Sequence, residues 1–326
     1  MKKFLFKMLL FLVPVTGIFW YMESELAKLP NSYMLKKDYF EKNIDRTEVL
    51  ILGSSHAMND VNPEFISKPA FNLANASQSL YYDSRLCLNY LDRMKSLQTV
   101  VITVSYFSLW MQLSDTRESW RDYFYYKFWG ISEREFPWYD IRKYSYTMLY
   151  GPSTSLKYLT GFSRDESELR MSDLGWVRKD VLNPNPNLSA EAGAAKVEAD
   201  NRTMHASELE RNVKILEDFT GELRRHNIRV LFLSTPLYVE YRRFTDPEMN
   251  RITKMTIRDI CKRYACKWVD FTEDSRFTAA DFNDNEHLNI AGAEKLSRML
   301  DEEIQAEDNQ QLPADNPPLL KKIPEP

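Results

Sequence analysis

Hydrophobic residues in this chain come mostly in short unbroken runs. TEVLIL (47–52), AFNL (70–73), TVVITVS (99–105), RVLFLS (229–234) and KWVDF (267–271) are largely β-branched or apolar, and the first ends at Gly53. Runs that are apolar on both faces fit a parallel sheet covered by helices on each side. Between them the spacing turns helical. Leu88 and Leu91 share a face in DSRLCLNYLDRM, as do Leu209, Val213, Leu216 and Leu223 behind SELE (207–210), which reads as a capping box. Asp246-Pro247 opens another helix, with Asp at the cap and Pro in the first turn, and NIAGAEKLSRMLDEEI closes the series. Alternating strands and helices predict an α/β fold, a three-layer sandwich around a mainly parallel, flavodoxin-like sheet spanning 47–305.

Three stretches leave that pattern. The start, MKKFLFKMLLFLVPVTGIFWYM, sets Lys2, Lys3 and Lys7 before an apolar run from Met8 to Met22. This is the grammar of an export signal, and no clear small-x-small cleavage site follows it. The reading favoured is an uncleaved signal-anchor helix over 1–24, with the lysines cytoplasmic and the body outside the cytoplasm, in a bacterial periplasm or on an outer surface. A cleaved signal is the alternative. Residues 25–46 read as a linker. Between about 111 and 204 the alternation is lost, and WRDYFYYKFWG, FPWYDIRKYSYTMLYG and NPNPNLS read as an aromatic, loop-like insertion in one domain. Such an insertion can shape a ligand site, pack on itself as a lid, or face a membrane. The Pro-rich tail, 306–326, reads as disordered.

Composition narrows the classes. A formal net charge of −4 with interspersed signs argues against a duplex-DNA binder, so no nucleic-acid partner is expected. Three cysteines exclude a disulfide scaffold, and Cys261 and Cys266 either bridge or simply pack. Four scattered histidines and the absence of CxxC argue against a zinc cluster. There is no Walker loop and no GxGxxG, so neither metal nor organic cofactor is implied.

Two short motifs can carry chemistry. In Gly53-Ser54-Ser55-His56, a glycine at a strand's end permits a tight turn, and a hydroxyl there stands at the carboxyl edge of the sheet, where open α/β folds bind ligands. The same string also fits an ordinary polar turn. Far downstream, Asp284 and His287 precede the last helix, spaced so that the carboxylate meets one imidazole nitrogen while the other faces a nucleophile. Asp284 capping a turn and His287 lying on the surface is the bland alternative. His56 reads as a turn residue pointing away from Ser55. Tyr238, after a strand, either lines the ligand edge or joins the core.

Taken together, the two motifs resemble those of the SGNH, or GDSL-like, hydrolase superfamily. Ser54 stands where that family has aspartate, and Asp284-Asn285-Glu286-His287 with Leu288, Asn289 and Gly292 fits its late Asp-x-x-His block. The resemblance implies Ser55 as nucleophile, His287 as base and Asp284 as its orienting carboxylate. It also implies oxyanion donors, for which the matching positions depart from the pattern. Ser77 replaces a glycine, and Val104-Ser105-Tyr106-Phe107 lacks the usual asparagine, leaving Asn75 and Tyr106 as substitutes. A membrane-anchored chain with Gly-Ser-Ser looks like the accessory proteins of cell-envelope acylation systems. The implied activity is a serine esterase or O-acyltransferase acting on acyl, in particular acetyl, esters of an envelope or exported carbohydrate polymer. A membrane-bound O-acyltransferase is the implied partner. The alternative is a catalytically weak scaffold or binding subunit of an envelope-assembly complex.

Overall fold

The computed structural model of the chain describes residues 2–160, 170–178 and 187–308. Among them five strands form one sheet: β1 (Val49–Leu52), β2 (Ala70–Asn72), β3 (Thr99–Thr103), β4 (Arg229–Ser234) and β5 (Lys267–Asp270), in the order β2-β1-β3-β4-β5. Every pairing is parallel, with Leu50 opposite both Phe71 and Val100, Val101 opposite Leu231, and Leu233 opposite Val269. The unbroken apolar runs are explained by two cores. Leu50, Leu52, Val100, Ile102, Val230 and Phe232 face one way, onto α2 (Ser32–Asn43), α4 (Leu80–Tyr90), α9 (Leu209–Arg225) and α11 (Pro247–Tyr264). Their neighbours Val49, Ile51, Val101, Leu231 and Leu233 face the other way, onto α3 (Ser55–Asp60) and α12 (Ile290–Asp308). Burying each such side chain contributes about 1.5–3 kcal/mol, which makes both faces of the sheet structural.

The chain leaves β1 toward β2 on one side and β3 lies on its other side, so the crevice beyond their carboxyl ends is the switch point of the sheet. Gly53 sits there with φ +139°, and a Cβ on it would come within 2.8 Å of the Thr103 Cβ. Both the turn and the close approach of β1 to β3 therefore require glycine.

The structure corrects several expectations. The SELE capping box does not form. Ala206–Glu208 is a 3-10 turn, so Ser207 lies inside the turn and no side chain caps Leu209. Residues 25–46 are not a linker, because α2 buries Tyr33, Lys36 and Phe40 in the domain. The Lys36 ammonium donates to the carbonyls of Asn72 (3.1 Å), Gly175 (2.8 Å) and Ala74. The insertion contains helices among its described residues: α5 (Arg121–Phe124) running into a π-turn, then α6 (Tyr146–Tyr150), α7 (Pro152–Leu159) and α8 (Ala190–Asn201), joined by irregular stretches. Its aromatics escape an amphipathic pattern because they pack ring on ring, Tyr33 on Phe124 at 5.4 Å and Tyr82 on Tyr125 at 3.9 Å. The remaining parts of the insertion, 161–169 and 179–186, lie outside the described residues. Helix α12 runs on through Asp308, beyond the expected boundary at 305, and 309–326 lie outside the described residues too. The three cysteines are free.

Helix α1 (Lys2–Ala27) is long and apolar enough to cross a membrane, and its apolar window is left unburied by the described residues. Its last turns do pack, against α6 and α7. There the Glu23 carboxylate accepts from the Ser145 hydroxyl and from the amides of Tyr146 and Thr147, both at 2.8 Å. It thereby satisfies donors at the start of α6 that have no partner within that helix.

Candidate active site

Ser55 is the first residue of α3, directly after the Gly53 turn, with Ser54 as an extended N-cap whose own hydroxyl makes no cap bond. The turn is held from below. The Gly53 amide donates to the buried Asp83 carboxyl, Gln78 bonds the same carboxyl at 2.6 Å, and the Tyr125 hydroxyl of the π-turn donates to Gln78 at 2.6 Å. His287 arrives from the opposite end of the domain on a loop pinned at its base by a bridge between Phe282 and Leu288. The Leu288 amide donates to buried Asp60 at 2.9 Å. Gly292 is required beside this loop, since a Cβ there would lie 2.2 Å from the Asp281 carbonyl oxygen.

These elements bring the three predicted residues together. His287 Nε2 lies 3.0 Å from Ser55 Oγ, and its Nδ1 lies 3.0 Å from both carboxylate oxygens of Asp284. Asp284 is itself oriented by the amides of Glu286 (3.0 Å) and His287 (2.8 Å). Hydroxyl, imidazole and carboxylate form one line, the arrangement in which an imidazole can accept a serine proton while the carboxylate fixes its tautomer.

Ser55 opens into a cavity of about 420 Å³, whose lining includes Ser77, Phe107, Glu118, Lys196 and Glu286. Ser77, expected as a glycine substitute, adopts the glycine-like conformation with φ +54°. Its hydroxyl bonds Glu118 at 2.9 Å, which offsets part of the roughly 1–2 kcal/mol cost of left-handed backbone. The other candidates do not reach the cavity. The Asn75 side-chain oxygen accepts from the Ala76 amide at 3.0 Å and from Ser32 at 3.4 Å. The Tyr106 hydroxyl donates to Asn201 and accepts from the Asp246 amide, each at 3.0 Å. Tyr238 packs edge-on to Phe282, with centroids 5.4 Å apart, against the α12 core.

No protein-family profile matches the chain, and no curated protein does. Solved structures do. A GDSL-like lipase from Bacteroides thetaiotaomicron aligns at 10% identity over 84% of this chain and 99% of its own, with a TM-score of 0.40. A carbohydrate acetylesterase family member from Sinorhizobium meliloti aligns at 10% identity over 81% of this chain and 100% of its own, with a TM-score of 0.37.

His56 differs from its expected role as an outward turn residue. Because α3 begins at Ser55, one helical step of about 100° carries His56 inward but still under the same loop. It is buried, with Nδ1 2.7 Å from Ser105 Oγ and its ring edge-on to His287 at 5.4 Å. Two further members of the site were not singled out from sequence. Glu286 is buried between the two histidines, 3.5 Å from His56 Nε2 and 3.5 Å from His287 Nδ1. Lys196, on α8 of the insertion, reaches Glu286 at 3.0 Å and Asp200 at 3.2 Å. Glu286 was visible inside the Asp-x-x-His block, whereas nothing in the sequence marks Lys196.

The electrostatics follow from this crowding. Burial by itself would lower the His287 pKa, but the Glu286 and Asp284 carboxylates outweigh it and raise it to about 9. Burial pushes the Asp284 carboxyl up, but the imidazole and two backbone amides hold it well below the usual range. Asp60, buried with one oxygen unpartnered, is raised to about 8 by desolvation, which favours its neutral form. His56, Glu286 and His287 also offer ligand atoms within 4.8 Å of one another, a grouping that scattered sequence positions did not suggest. A cation there would compete with Lys196 for Glu286 and with Ser55 or Asp284 for His287, so these residues suit the proton-transfer arrangement better than a resident metal.

Proposed function

We propose that the chain is a serine esterase or O-acyltransferase of the SGNH, GDSL-like type. The observation that carries this reading is the two-sided contact of His287, with Ser55 on one nitrogen and Asp284 on the other. Ser55 Oγ attacks the acyl carbonyl as His287 Nε2 takes its proton. The negative charge that develops on the carbonyl oxygen falls to the amides of Ser55 and Ser77, both at the cavity wall. Collapse of the tetrahedral intermediate expels the alcohol, to which His287 returns the proton, leaving an acyl group on Ser55. A second hydroxyl, from a sugar or from water, then takes the acyl group by the same steps in reverse. The preferred substrates are acetyl or other acyl esters of an extracytoplasmic carbohydrate polymer. Helix α1 would hold the body at the membrane beside an O-acyltransferase that supplies the acyl group.

One observation favours the second reading, a catalytically weak scaffold. The block where the family carries an oxyanion asparagine reads Val104-Ser105-Tyr106-Phe107, and its Ser105 hydroxyl is engaged with His56. Removing one oxyanion donor typically costs about 3 kcal/mol. Incubating the full chain with an activated acetyl ester, alongside Ser55→Ala and His287→Ala, decides between the readings. Turnover or a trapped acetyl adduct that disappears in Ser55→Ala supports the enzyme. A folded wild type that neither turns over nor acylates leaves the scaffold.

A further inference from the structure

The insertion presents a group of large apolar side chains that nothing covers among the described residues. Trp138, Tyr139, Ile141, Tyr144 and Leu156 are 56–81% exposed, unusual for large side chains grouped within one short stretch of fold. Three of them are placed by α1. Ile141 belongs to the 3-10 turn Ile141–Lys143, which packs on α6, and Tyr144 precedes the Ser145 cap that Glu23 engages. Leu156 is on α7, which α1 also touches.

Glu23 marks a level along α1. Between Lys2 and Glu23 the helix rises about 32 Å, enough to cross the roughly 30 Å hydrocarbon layer. Trp20 and Tyr21, 71% and 60% exposed, occupy its end, where amphipathic rings meet lipid headgroups. Tyr144, next to the Glu23 contact, shares that level, and Tyr139 and Trp138 lie in the same segment six and seven residues before Ser145. The charges along this face are mixed with a slight basic excess: Lys143, which lies over the Tyr144 ring at 4.8 Å, Lys157 and Glu135 have no ion-pair partner among the described residues, while Asp140 is occupied by Arg142 at 2.8 Å.

We propose that this face is a membrane-interface platform, seated in the headgroup layer of an anionic bilayer beside the exit of α1. It goes beyond the esterase reading and rests only on α1 crossing the membrane. Two attachments, one spanning and one lying flat, fix the tilt of the domain, and so the direction in which its cavity faces, where a single helix would let it swivel.

The test uses the full chain in vesicles of phosphatidylglycerol and phosphatidylcholine, with lipids brominated either near the headgroup or deep in the chains. Trp20→Phe reports on α1, and Trp138→Phe reports on the platform at a side chain exposed enough to change without unfolding. The expected result is that each variant loses emission that was quenched at least twofold more by shallow than by deep bromine. If Trp20→Phe loses such a component but Trp138→Phe loses only unquenched emission, the platform is overturned while the anchor stands, and the face belongs to a protein partner. If neither loses a quenched component, α1 does not insert and the proposal falls with it.

Discussion

Ser55 and Glu286 reach the cavity from the ends of a parallel sheet, whereas Glu118 and Lys196 reach it from the insertion. The first wall is fixed by backbone ladders and two apolar cores, so its atoms are placed by the whole domain. The second is fixed by stacked rings and side-chain hydrogen bonds, Tyr125 to Gln78 and Tyr106 to Asn201 among them. The contrast separates two tasks. The sheet edge holds the geometry a reaction needs, and the insertion sets what enters without disturbing it.

Removing chemistry from the sheet-edge wall has the largest expected effect. Ser55→Ala or His287→Ala lowers ester turnover on the order of 10⁴-fold or more in steady-state assays, whereas Trp138→Ala, on the outer insertion, leaves turnover in detergent within about twofold. Comparable rates for Ser55→Ala and wild type would erase the distinction. Stability divides along the same line. Phe71→Ala, fully buried on β2, costs about 3–5 kcal/mol by denaturant titration. Trp138→Ala changes it by no more than about 0.5 kcal/mol.

Acidity sharpens the comparison, because Glu286 lies where the two walls meet. With His287 raised to about 9, the imidazole is largely protonated at neutral pH and the rate climbs with pH until near that value. Glu286→Gln removes a neighbouring negative charge, so the midpoint moves to lower pH by roughly 1–2 units. The stability effect has a definite sign. The folded pKa lies above the ordinary 6.5, so the contribution of His287 is full below that value and is lost as pH rises through about 9. Thermal melts of the wild type should therefore fall across that window more steeply than those of Glu286→Gln. The smallest effect belongs to Ser77→Gly, which relieves left-handed backbone but loses the Glu118 bond. Its melting free energy stays within about 1 kcal/mol of wild type, and its activity survives because the amide remains.

Much of the sheet was legible because strands buried on both faces must be apolar throughout, as VLIL and TVVIT are. Ser55, Asp284 and His287 were legible because each stands beside a helix start, where spacing limits geometry. Lys196 was not, since its partner Glu286 is distant in sequence and its helix has no marked polar or apolar face. His56 was misread for a local reason: adjacent residues diverge on a turn, but at the start of a helix both can meet one loop. The insertion hid its helices because tyrosines and phenylalanines that pack on one another leave no period of 3.6 to find.

Lys36 has a consequence for how the chain is made. One of the carbonyls that hold its ammonium belongs to Gly175, 139 residues further on. At synthesis rates of about 5–20 residues per second, that carbonyl emerges roughly 7–28 s after the lysine. Until then the charge keeps α2 in water, for burying it with partners missing costs several kcal/mol. With α1 leading the chain across the membrane, α2 thus waits on the far side until a segment of the insertion has followed it, open through that interval to any chaperone there.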